Sequence, residues 1–494
     1  MWSVEKVYPY NNYVNQNYYN IAYGCQQRPE SANTAPVDEI KETQGAKKVN
    51  KKHSDTIKEV PYNPAFSASA LRTQLVNNDE INKYNDLQKI LDKHTKKELE
   101  SLLKSGILLD NDSSDGTSVL DNIHKIATTP RAQGLDPQSL AKDVINTLNN
   151  PYLITQQFGD IPVEKRAEAI QAYLKNKNTT TTDNNAKIVA MNDINVTHSG
   201  TCVAASIEFN LAQAQPAEFA RFAEGLTSPS NSVNKEIHLD KLADNTLDAI
   251  WLLNAFEIPF KTDNFYKATL KFKPDENAIV RAQIQTNYKD SDERTPVDVM
   301  MQSTFMQVGS QQSYNSLSDK RHGKFNQNDK GLIEFEKTFV ESVVEDKNKI
   351  SMTYQNVDEN ARLIGYETDM NTLKKHLTQS IDMGENVIIG YTQTDENNII
   401  INGHEITVVG YRTDPKNGKM TFICNDTDDN ETKAIEYSED YLLPKIHHAA
   451  LPKSVIQNDI KLVENWTEGL KLYKELKKQE KENNNSQINI SSAA

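Results

Sequence analysis

Cysteine is nearly missing. Only Cys25, Cys202 and Cys424 occur in 494 residues, too few and too scattered for a disulfide scaffold, and the sparse, odd count fits a reducing compartment. No window approaches about 18 uninterrupted apolar residues, which excludes a membrane-spanning helix. The opening MWSVEKVYPYNNYVNQNYYN lacks the basic-then-apolar layout of a secretory signal. Cytoplasmic residence is therefore the default, although a substrate of a specialised secretion system would look the same. Basic residues are outnumbered, 55 against 69 acidic, for a formal charge of −14. That balance disfavours nucleic acid as a partner, because such binding relies on Lys and Arg neutralising phosphates.

What is present changes along the chain. The first 23 residues hold six Tyr and five Asn, and residues 24–62 are polar without an apolar period. Residues 1–65 thus read as a disordered leader, unable to bury enough surface to offset the entropy of ordering. Residues 66–187 form a helical subdomain and linker. Tyr84, Leu87 and Leu91, then Leu99, Leu102 and Leu103, then Leu140, Val144 and Leu148, then Ala167, Ile170 and Leu174 recur at helical spacing. Asp136-Pro137 supplies an N-cap followed by proline at the first helical position, and Asn150-Pro151 ends the same helix. NKNTTTTDNNAK, 176–187, is the polar boundary.

Beyond it lies a third region, 188–450. Small apolar side chains predict a helix over 202–215, stopped by Pro216, with further helices near 242–256, 296–308 and 331–345. Met300, Met301 and Met306 of the 296–308 segment fit core packing. From 386 the pattern turns to strands: NVIIGYT, NIIING, GHEITVVGYR and KMTFICND, the last two joined by the turn-rich TDPKNG. A helical part followed by a strand-rich part predicts an α+β fold. Residues 451–494 read as a charged helix and a disordered tail.

The chemistry centres on Cys202, in THSGTCVAAS. Ser199-Gly200 breaks the chain and a helix starts at the cysteine, so the thiol would feel the positive end of the helix dipole and free N–H groups, which favour the thiolate. A proton partner is needed, and the strands offer His404 and the pair Asn425-Asp426. On a strand His404, Ile406 and Val408 share one face and Glu405, Thr407 and Val409 the other. The hairpin brings the start of one strand beside the end of the next, so His404 can meet Asn425 or Asp426.

These motifs resemble, in order, those of the papain-like cysteine peptidases. Gly200-Thr201-Cys202-Val203-Ala204-Ala205-Ser206 is similar to the family's Gly-Ser-Cys-Trp-Ala-Phe-Ser, HEITVVGY (404–411) to its His-Ala-Val-x-x-Val-Gly-Tyr, and KMTFICND (419–426) to the strand ending in Lys-Asn-Ser-Trp. The resemblance implies a two-lobed fold, a helical left lobe and an antiparallel β right lobe, preceded by the helical subdomain as a pro-segment or accessory domain. It implies Cys202 as nucleophile, His404 as base and Asn425 as the residue orienting it, with Asp426 the alternative third member. The family's oxyanion glutamine falls on Val196, and Asn195, one residue away, is the nearest amide. The implied activity is hydrolysis of peptide or isopeptide bonds in a protein or peptide substrate through a thioester, with no metal or organic cofactor. A transglutaminase-like acyl transferase and an inactive papain-fold interaction module are the alternatives. The oligomeric state is not legible. The calcium-like loop 110–121 places its glycine at position 7 rather than 6, NQNDKGLIEFEK (326–337) ends on lysine, and the adjacent His447 and His448 point apart on regular structure, so none of the three reads as a metal site.

Overall fold

The computed structural model describes residues 58–59, 72–156, 199–242, 246–288, 294–317, 319–321, 331–332, 334–358, 360–428 and 432–456. The expectations for the leader, for the linker 176–187, for Ala167, Ile170 and Leu174, for Asn195 and for the charged C-terminal helix fall outside these residues, as do positions 326–330 and 333 of the 326–337 loop. Among the described residues the helices are α1 (Asn78–Ile90), α2 (Lys93–Ser105), α3 (Val119–Thr128), α4 (Pro137–Asn149), α5 (Cys202–Ala214), α6 (Pro216–Thr227), α7 (Thr246–Ala255), α8 (Ala278–Tyr288), α9 (Pro296–Gly309), α10 (Glu334–Glu345), α11 (Met370–Asp382) and α12 (Glu439–Leu442). The strands are β1 (Lys58–Glu59), β2 (Val233–His238), β3 (Phe260–Thr262), β4 (Lys267–Phe272), β5 (Tyr314–Asn315), β6 (Lys320–Arg321), β7 (Lys349–Thr353), β8 (Gln355–Val357), β9 (Leu363–Tyr366), β10 (Val387–Thr394), β11 (Ile400–Thr413), β12 (Met420–Asn425), β13 (Ile435–Ser438) and β14 (Ile446–Pro452). The fold is α+β.

Local chemistry explains the element boundaries. Asp136 accepts from the Ser139 N–H and Pro137 opens α4, as the sequence signals predict. In α5 every residue from Cys202 to Ala212 is buried, so this helix is apolar on all sides because it lies inside the core. Pro216 ends the run and begins α6, since it fits only a first helical turn. Helices α1 to α4 contribute Leu87, Leu99, Ile123 and Val144 to the same hydrophobic cluster as Val203, Phe209 and Phe222 of α5 and α6. The N-terminal helices and the region of Cys202 therefore share one core. Truncating a member such as Phe209 to Ala would cost about 3–5 kcal/mol.

The main sheet is antiparallel, ordered β13-β12-β11-β10-β14-β7, with β1 paired to β11. A smaller sheet runs β2-β4-β3. The segments NIIING and GHEITVVGYR, expected as separate strands, are one strand, β11. Alternation along it sorts the sheet's two faces. Ile388, Val409 and Ile423 join the core of α5 and its neighbours, while Val387, Ile389, Ile406, Val408 and Cys424 pack with Leu373 and Leu377 of α11. The turn closing β11 and β12 places Gly418 at φ 70°, a left-handed value natural to glycine. Among the described residues no helix is long and apolar enough to cross a membrane.

Candidate active site

Cys202 is the first residue of α5, and α5 packs against β10 and β11. The residues before it are fastened by buried side chains. Ser199 Oγ donates to the Gln156 carbonyl and lies 2.9 Å from Thr201 Oγ1, the Gly200 N–H donates to Asp319, and Thr201 Oγ1 donates to Gln302 Oε1 at 2.8 Å. With its hydroxyl so engaged, Thr201 makes no side-chain cap on α5. The helix thus starts with no side-chain acceptor from its own cap residue, leaving backbone N–H groups at the cysteine end.

Cys202 is buried, and it is disulfide-bonded to a partner outside the described residues. A bonded sulfur is not the free, dipole-activated thiolate that the start of the helix suggested. Oxidised sulfur is not a nucleophile, so any chemistry at Cys202 begins with the reduced form. Cys424 is free and fully buried, as expected of a core position, and burial pushes its thiol pKa up strongly.

His404 lies on β11 opposite Tyr391 of β10. Its Nε2 is 2.6 Å from Asp426 Oδ1, just beyond the end of β12. Burial alone would lower the imidazole pKa, but Asp426, helped by Asp428 and Glu405, outweighs it and raises His404 to about 9. Burial likewise would raise Asp426, and His404 holds it below the ordinary carboxylate value. The pair is an imidazolium–carboxylate at neutral pH.

Asn425, expected to orient His404, pairs instead with Thr407, and its buried Nδ2 has no hydrogen bond among the described residues. The reason is register. Thr407 opposite Asn425 puts His404 and Asp426 on one face as diagonal neighbours and turns Asn425 to the other, and a one-residue offset on a strand always exchanges faces. The alternative third member, Asp426, is the one the geometry joins to His404.

One link was missed from sequence. The Gln156 N–H donates to the Thr427 carbonyl at 3.0 Å, as does Thr155 Oγ1, while the Gln156 carbonyl accepts from Ser199. Thr155-Gln156 is thus a strap between the loop leading to Cys202 and the loop following Asp426. Gln156 Oε1 is buried without a hydrogen bond among the described residues. Nothing local marks this residue, which precedes Cys202 by a long, weakly patterned stretch. Its role is visible only once the chain is folded.

His447 and His448 are the second correction. Their Nδ1 atoms lie 3.2 Å apart. Strand β14 carries an irregularity here, with Gly390 opposite His448 and Tyr391 opposite Ile446, so His447 is the extra residue of a bulge. A bulge breaks the alternation that would send adjacent side chains to opposite faces.

Comparison with protein-family models, with characterised proteins and with solved structures returns no match for this chain.

Proposed function

We propose that the protein is a thiol hydrolase of papain-like, two-lobed architecture acting on peptide or isopeptide bonds. Cys202, once reduced, attacks the acyl carbon; His404 carries the proton and delivers it to the leaving amine; Asp426 orients the imidazole and stabilises its charged form. The observation that supports this reading is the 2.6 Å His404–Asp426 pair on β11, on the face of Ile406 and Val408, in a strand whose opposite face, through Val409, packs against the helix that Cys202 begins. An imidazolium with a raised pKa favours a thiolate partner, the nucleophilic form of cysteine. The Cys202 backbone N–H would stabilise the oxyanion, and Gln156, bonded to both flanking loops, is an amide available to join it in place of Asn195.

An aspartate in the third position also suits a transglutaminase-like acyl transferase using the same thioester. Amine acceptors separate the two: hydrolysis leaves a free acid and transfer leaves a new amide. The test is reaction of the full chain with an acyl electrophile before and after treatment with a dithiol reductant. Rapid labelling of Cys202 only after reduction, abolished in Cys202→Ala without a large loss of stability, is expected. Labelling of reduced protein no faster than of denatured protein would leave an inactive interaction module.

A further inference from the structure

The bulge in β14 builds a second cluster that the thiol chemistry does not use. Glu334, at the start of α10, places Oε1 3.1 Å from His447 Nδ1 and 3.7 Å from His448 Nδ1, and the two Nδ1 atoms are 3.2 Å apart. All three side chains are buried, and their ligand atoms lie within 4.8 Å of one another. Around a zinc ion with bonds of about 2.0–2.1 Å, tetrahedral ligand atoms stand about 3.3 Å from one another. The three measured edges bracket that value.

We propose that Glu334, His447 and His448 form a binding site for a divalent transition-metal ion, zinc by its donor set. Hydrogen bonding alone serves this triangle poorly. A proton on either Nδ1 satisfies one edge, and protons on both place two N–H groups against each other, whereas a cation at the centre is shared by all three lone pairs. The surroundings support each ligand. Thr353 Oγ1 donates to Glu334 Oε2 at 3.1 Å, leaving Oε1 for the histidines. A Cβ on Gly390 would collide with the His448 ring, so glycine there gives the imidazole its place. Glu405 Oε1 lies 3.0 Å from His448 Nε2, an ion-pair distance that places a carboxylate behind the ring, on the side away from Nδ1. Lys337 Nζ, 3.0 Å from Glu405 Oε2, balances that second carboxylate. Two imidazoles and a carboxylate, with a fourth position for water, are a familiar zinc set. The proposal does not depend on the thiol reading.

The test uses the full chain in its oxidised form, so that Cys202 offers no thiol. After stripping with a chelator, Zn²⁺ is titrated against a chromophoric competitor, and Co²⁺ is added to read the visible band of a tetrahedral site. One equivalent of zinc should bind, and Zn²⁺ should raise the melting temperature of the stripped protein. Glu334→Gln or His448→Gln should weaken binding at least about 100-fold, and Glu405→Gln about 10–100-fold. His404→Ala should leave it unchanged. If a ligand variant fails to fold, the zinc-dependent melting shift of the stripped wild type decides. Absence of both stoichiometric binding and that shift overturns the proposal, as does binding that survives Glu334→Gln and disappears in His404→Ala.

Discussion

Two histidine–carboxylate clusters sit back to back on β11, and they hold opposite charge states. His404 faces Asp426, whose carboxylate, helped by Asp428 and Glu405, outweighs burial and raises the imidazole pKa to about 9. His448, contacted by Glu405 from the next position along the same strand, goes the other way. There Lys337 already neutralises Glu405, and burial with that ammonium pushes the His448 pKa down. Proximity to a carboxylate does not determine a histidine's charge. What matters is whether that carboxylate has charge left to give. The first arrangement suits proton transfer and the second suits metal ligation.

The sharpest way to break this contrast is to remove Lys337, which is fully buried. Lys337→Met leaves Glu405 as an uncompensated buried charge and should destabilise the fold by about 3–5 kcal/mol, read by urea unfolding at pH 8. The loss should shrink at pH 5.5, where His448 can take up a proton and replace the missing cation. A variant as stable as wild type at pH 8 would show that Lys337 does not set the state of this cluster.

Next in size is the pH dependence. His404 has a folded pKa near 9 against an ordinary 6.5, so its contribution is fully present below pH 6.5 and is lost as pH rises from there through 9. Glu405 is the reverse. Burial would raise it, but Lys337 and His448 bring it down to about 2 from 4.5, so its contribution is present above pH 4.5 and is lost as pH falls towards 2. Each shift corresponds to about 3 kcal/mol. Asp426→Asn should remove the alkaline loss alone and return the His404 pKa, followed by NMR, towards or below 6.5. It should also slow acylation of reduced Cys202 about 10²–10⁴-fold. An unchanged alkaline limb would separate His404 from Asp426.

The elements carrying the proposed site were legible because their patterns are strong. Small apolar residues up to Pro216 mark α5, and short runs rich in β-branched and aromatic residues, two of them joined by a turn-rich loop, mark β10 to β12. Less legible was whatever hung on a single residue of register. Choosing Asp426 over Asn425 requires knowing that Thr407 pairs with Asn425, across a strand whose pairing shifts between Val408 and Gly410. Reading His447 and His448 as convergent requires the bulge opposite Gly390. Neither irregularity has a signature in one sequence, because strand bulges answer to the partner strand as much as to local composition. The strap at Gln156 joins parts of the chain far apart in sequence, where periodicity carries no information.

The smallest expected effect is also the most discriminating for the third member. Asn425 is buried on the Thr407 side of the sheet, and its Nδ2 lacks a hydrogen bond among the described residues, so Asn425→Ala removes a desolvated donor along with a few packed atoms. The two changes oppose each other, and the net cost should be about 1 kcal/mol or less. Because Asp426 remains in place, the His404 pKa should stay near 9 and labelling of reduced Cys202 should keep its wild-type rate and pH profile. A fall in the His404 pKa with slowed labelling, in a variant that melts normally, would return the orienting role to Asn425. It would also mean that β12 takes, in the reduced protein, a register one residue away from the one described here.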